Sequence, residues 1–172
     1  MKNLYQKNIQ FALHSLGLIL LGVTLVGSVI SATAQDSKAA KVKEAIQVMK
    51  DEAAKVGEPK AEGTGLYFGT TKINGNYTIV DALNARFKCT ATFFTRKGTD
   101  FVRISTNVLN EGNRAVGTVL DPSGLAYAAL SKGESFYGIV EILGKKYEAG
   151  YEPIKNKAGE TIGAYYVGFM ME

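Results

Sequence analysis

The sequence predicts an α+β domain: a five-stranded antiparallel sheet with a long N-terminal helix on one face and a lid segment on the other. Three observations predict it. An apolar stripe at helical spacing runs through Val42, Ile46, Met49, Ala53 and Val56. Five runs rich in β-branched and aromatic residues follow, most of them joined by tight turns, as antiparallel neighbours require. Several of those runs are apolar on both faces, so the sheet needs cover on both sides.

The first residues are set aside from the fold. Lys2 and Lys7 form a positive start, Leu16 to Ile30 is largely apolar, and Ala32-Thr33-Ala34 has the small-x-small pattern of a secretory cleavage site. The expectation is a signal peptide over 1–34, cleaved after Ala34, which makes the product periplasmic or secreted. The competing reading is an inner-membrane anchor over 11–30, a stretch close to the minimal length of a span. His14, the glycines and the cleavage pattern favour removal. No cysteine stands at the junction, which argues against a lipoprotein.

Residues 35–62 read as the N-terminal helix and its linker, and 63–172 as the ligand-binding domain proper. The helix is expected over Asp36–Val56, with Asp36 or Ser37 as cap and Gly57 and Pro59 as the stop. Its stripe suits packing on its own domain. It also fits a short coiled coil, and hence a homodimer or a receptor contact through 36–56. Residues 57–75 are glycine-rich and read as loop. Within them "GTGLYFG" misses the spacing of a phosphate-binding fingerprint and is rejected. Asn76–Arg86 reads as a short helix capped by Asn76, with Ile79, Val80 and Leu83 inward. Strands are expected at 88–95, 101–106, 135–143, 146–154 and 160–170. The lid segment between the second and third of them holds a short helix over 121–133, capped by Asp121, with Pro122 in its first turn and Gly133 at its end.

Composition excludes much. Cys89 is the only cysteine, so no intrachain disulfide forms, and it reads as a small buried apolar residue. The one histidine, His14, lies in the leader. A mature chain without histidine has no Ser-His or Cys-His pair and no transition-metal cluster. The expectation is therefore no enzyme, no cofactor and no metal. Removing Lys2 and Lys7 leaves 18 basic against 16 acidic residues. That balance is too mild for a nucleic-acid partner.

The strand "FVRIST", 101–106, places an arginine among strand formers. Alternation puts Phe101, Arg103 and Ser105 on one face and Val102, Ile104 and Thr106 on the other. On a solvated face Arg103 is a surface residue. On the covered face its guanidinium must find an anion, either Glu141 or a bound carboxylate held bidentately. Tyr127, Tyr137, Tyr147 and Tyr151 offer rings with hydroxyls suited to the wall of a small polar pocket. Lys146 is a second cation that also suits a solvated turn. The candidate ligand-binding set is Arg103, Ser105, Thr106, Tyr127, Tyr137, Tyr147, Tyr151 and Lys146. Ser105 and Thr106 both face a ligand only if the strand ends or bulges there.

"FFTRKGTDFVRISTNV", "RAVGTVLDP" and "AYAALSKGESFYGIVEILGKKYEAGYEPIKNKAGETIGAYYVGF" occur in order at natural spacing. Together they closely resemble the extracytoplasmic single Cache sensor domain, of the type combining the second and third Cache families, from about Gly65 to the end. The resemblance implies a PAS-like fold, with the ligand on the sheet face opposite the long helix, under the lid. It also implies a small-metabolite ligand, often a short carboxylate, and a sensory setting such as chemotaxis. Such domains usually continue into a membrane span and a signalling region. This chain stops at Glu172, so the expectation is a stand-alone sensory domain without its own transmembrane output module. It would bind a small organic anion and present it to a membrane receptor. The alternative is a ligand-free interaction or dimerisation module.

Overall fold

The computed structural model describes the backbone from Gly22 to Met171 and side chains from Lys38 onward. The start of the leader, including Lys2, Lys7 and residues 11–21, lies outside the described residues. The chain divides into two compact units, Met1–Ser37 and Lys38–Glu172. The fold below is that of the second.

Helix α1 spans Gly22–Val56. It therefore begins well before Asp36, and Asp36 and Ser37 are interior residues rather than caps. The reason is local: the segment before them carries no proline to break the helix. No helix among the described residues is long and apolar enough to cross a membrane. At the other end Gly57, at φ +136°, stops the helix as expected. A Cβ there would lie 2.6 Å from the Cα of Gly69, so two backbones meet where neither can carry a side chain. The stripe from Val42 to Ala53 is buried in the domain's own core. It is spent on the sheet and not free for a second copy.

Residues 57–75, expected as loop, form a small three-stranded sheet: β1 Pro59–Glu62, β2 Gly65–Phe68 and β3 Thr71–Lys72. Strands of two to four residues are too short to show alternation, which is why the pattern concealed them. Leu66 and Phe68 nonetheless enter the main core. Helix α2, Thr78–Phe87, starts two residues later than expected. The Asn76 carboxamide accepts the Thr78 amide at 3.1 Å, and Val80 and Leu83 point inward.

The main sheet holds β4 Thr90–Lys97, β5 Asp100–Thr106, β8 Phe136–Ile142, β9 Lys145–Lys155 and β10 Thr161–Met170, in the order β5-β4-β10-β9-β8, all antiparallel. Between β5 and β8 lie the two-residue strands β6 Leu109–Asn110 and β7 Asn113–Arg114, then helix α3 Leu125–Ser131. Asp121 does not cap that helix. Its carboxylate accepts from the Ser123 amide and hydroxyl, and Gly124 holds the cap position.

The sheet has a core on each face. Toward α1 lie Phe93, Tyr165, Val167 and the helix stripe; toward the lid lie Phe94, Phe101, Tyr151, Tyr166 and Leu130. Helix α1 packs tightly over Gly150, where a Cβ would stand 2.6 Å from Ile46 Cδ1 and 2.6 Å from Tyr137 Cε1. Beside it Lys50 pairs with Glu152 at 2.7 Å. The hairpin β6–β7 is pinned to α2 by Arg114, which donates to both carboxylate oxygens of Asp81 at 2.9 Å.

Candidate ligand-binding cavity

The register of β5 decides which side chains reach the lid face. Phe93 stands opposite Ser105 and Phe94 opposite Arg103, so Ile104 is the extra residue of a β-bulge. The bulge overturns the simple alternation of this strand. Arg103 shares the lid face with Phe94, whose ring lies 5.1 Å from the guanidinium carbon. Ser105 is turned to the opposite face, where its hydroxyl donates to the Asn76 carbonyl at 2.6 Å. Thr106 is fully buried. Its hydroxyl lies 2.7 Å from that of Thr92 and accepts the Val108 amide at 3.0 Å. It has no free valence to offer a ligand.

Arg103 is only 6% exposed. Its Nη1 donates to Thr118 Oγ1 at 2.5 Å, and that hydroxyl in turn donates to the Ala115 carbonyl at 2.8 Å. Its Nε–H is buried with no hydrogen-bond partner. Among the described residues no carboxylate forms an ion pair with it. Burial pulls its pKa down, and only the phenols of Tyr151 and Tyr166 oppose that pull. Those phenols are themselves pushed up by burial and stay neutral. A buried cation whose neighbours are a hydroxyl, an aromatic face and neutral phenols is costly, because none returns the hydration it has lost.

The lid is tied to this arginine through the backbone. The Arg103 amide donates to the Thr118 carbonyl at 2.9 Å, and the Gly117 amide to the Arg103 carbonyl at 2.8 Å. Val119 bridges Val102. Residues 117–120 therefore extend the sheet past β5 before the chain turns over its face. Beneath that turn lies a cavity of about 410 Å³. Arg103 and Tyr151 line it from the sheet, Thr118 to Asp121 and Gly124 to Ala126 from the lid, and Phe136 and Ile139 to Leu143 from β8 and its turn. Its rim is apolar, with Val119, Leu125, Ile139 and Leu143 all exposed.

Of the expected set, Arg103 and Tyr151 line this cavity. Tyr147 is buried in the lid-side core without reaching it. Tyr127 lies outside, its hydroxyl donating to the Thr99 carbonyl at 3.0 Å and its ring edge-on to Phe101. Tyr137 faces α1, bonded to Glu152 and lying under Lys43. Lys146 is exposed on the β8–β9 hairpin opposite Glu141. Sequence reasoning missed Thr118 and the apolar wall from β8. The wall was present as the alternation of Phe136, Val140 and Ile142, whereas Thr118 gave no signal within its loop. Among the described residues no group of three or more His, Cys, Asp or Glu could hold a metal ion.

The chain matches the Cache 3/Cache 2 fusion domain over residues 22–172 and belongs to that family. Its PAS-like architecture and extracytoplasmic sensory character go with that membership. Among solved structures it is similar to the crystal structure of the E. coli DcuS sensor domain. The two share 16% identity at a TM-score of 0.47, covering 80% of this chain and 91% of that one. No curated protein matches it.

Proposed function

We propose that this protein is a periplasmic sensory domain that binds a small organic anion, a short carboxylate, through Arg103 beneath the lid. The observation that carries the reading is the buried guanidinium: it lines a cavity, one of its N–H groups has no partner, and among the described residues it has no ion pair. A carboxylate entering there gains a charge-assisted bond worth about 1.5–3 kcal/mol. Micromolar binding needs about 8 kcal/mol. Enclosure by the lid and the apolar wall must supply the rest. The same reading has the leader removed after Ala34, and the bound state presented to a membrane receptor.

Isothermal titration of the purified protein with acetate, propionate, lactate, pyruvate and dicarboxylates tests it. At least one should bind, and Arg103→Met should abolish that binding. Silence across the series, or binding unchanged in the variant, contradicts the proposal.

A further inference from the structure

The charge map of the cavity goes beyond anion binding, although it rests on that reading. Arg103 is the only cation in the lining. It stands on β5, at one edge of the sheet, and the apolar wall of Phe136, Val140 and Ile142 stands on β8, at the other. Four strand spacings separate the edges, roughly 19 Å. The guanidinium covers part of that distance by lying over Phe94 of β4, within the influence of Tyr166 and Tyr151 on β10 and β9. From there to β8 the lining is aliphatic and aromatic, because Phe136, Val140 and Ile142 face it, whereas Glu141 is exposed and shares the opposite face of β8 with Tyr137. A second carboxylate, Asp121, is fully exposed at the rim and already bonded to Ser123.

We infer that the ligand is a monocarboxylate carrying an apolar chain, with its head on Arg103 and its tail along the β8 wall, and that dicarboxylates are rejected. The volume agrees, since about 410 Å³ is the room of roughly a dozen waters, far more than acetate fills. A second carboxylate on the ligand would be stripped of water against Phe136, Val140 and Ile142. It would meet no cation there to offset that loss. An ammonium on the carbon beside the ligand's carboxylate fares no better. It would sit next to Arg103, where no carboxylate acts on the guanidinium.

The test is a calorimetric series on the wild-type protein: propionate, butyrate, pentanoate and hexanoate, then adipate as the dianion of hexanoate's length. Each buried methylene should tighten binding roughly fourfold. Adipate should bind at least ~10-fold more weakly than hexanoate. Affinity that is flat or falls with chain length overturns the inference, as does adipate equal to or tighter than hexanoate. Either result leaves anion binding standing if Arg103→Met still abolishes it. Binding by none of these acids overturns the inference, and only silence in the acetate, lactate, pyruvate and dicarboxylate series as well removes the anion site itself.

Discussion

Replacing Arg103 by methionine should make the protein more stable while abolishing its ligand binding. The side chain is 6% exposed, and its losses on substitution can be named. One is the bond to Thr118, about 1.5–3 kcal/mol as a charge-assisted contact. The other is the attraction to the face of Phe94, about 2 kcal/mol when desolvated. Against them stands relief of the penalty for holding a cation out of water with no ion pair among the described residues, several kcal/mol. No orphan is created, because Thr118 keeps its bond to the Ala115 carbonyl. The orphan that exists, Nε–H, disappears. Methionine fills similar space and keeps a sulfur–aromatic contact with Phe94. Exchanging a buried ionic group for a packed apolar one is commonly neutral or stabilising by about 1–4 kcal/mol, and a gain of about 1–3 kcal/mol is expected here. For a domain of this size that raises Tm by roughly 3–10 °C. The assay is thermal denaturation followed by circular dichroism in a buffer free of carboxylates, since a bound anion would lift the wild type alone. A Tm several degrees below wild type would refute the reasoning, because it would mean that the arginine is a structural member with its charge already satisfied.

Two further predictions concern the opposite face of the sheet. Gly150→Ala places a Cβ 2.6 Å from Ile46 Cδ1 and from Tyr137 Cε1. Overpacking should cost about 1–3 kcal/mol and lower Tm in the same denaturation assay, and an unchanged Tm would show that the Ile46 and Tyr137 side chains give way to the new methyl. Burial alone would raise the Glu152 carboxyl, but the bonds from Lys50 and Tyr137 outweigh it and hold its pKa below the ordinary value. Its contribution is therefore present above the unfolded-state pKa and lost as pH falls through the lower folded one. Glu152→Gln should be less stable than wild type at neutral pH by under about 1 kcal/mol, since Lys50 is partly exposed. That gap should close in urea titrations below about pH 4. A gap independent of pH would assign the effect to packing.

The elements with strong periodicity were legible in the sequence. The stripe from Val42 to Ala53 and the five long strands stand where spacing placed them. What was illegible had a physical cause in each case. No proline separates the leader segment from Asp36, and the helix runs through the expected cap. The strands within 57–75 are too short to alternate visibly. At the site, Arg103 was conspicuous as a charge among strand formers, but a single inserted residue at Ile104 decided that Ser105 would face α1. Hairpin register then sent Tyr137 to α1 and Tyr151 to the lid, although both were equally plausible as rings. The cavity wall is made of apolar residues from β8, and composition alone cannot tell a wall from a core.

The most direct test watches the orphaned donor itself. In a ¹⁵N-resolved spectrum of the protein, Arg103 Nε–H, identified by its loss in Arg103→Lys, should give a resonance protected from exchange by burial. Titrating in a carboxylate that binds by calorimetry should shift that resonance as its proton gains an acceptor. If the carboxylate binds while the Arg103 signal stays fixed, the anion is held elsewhere, and the buried guanidinium is not what captures it.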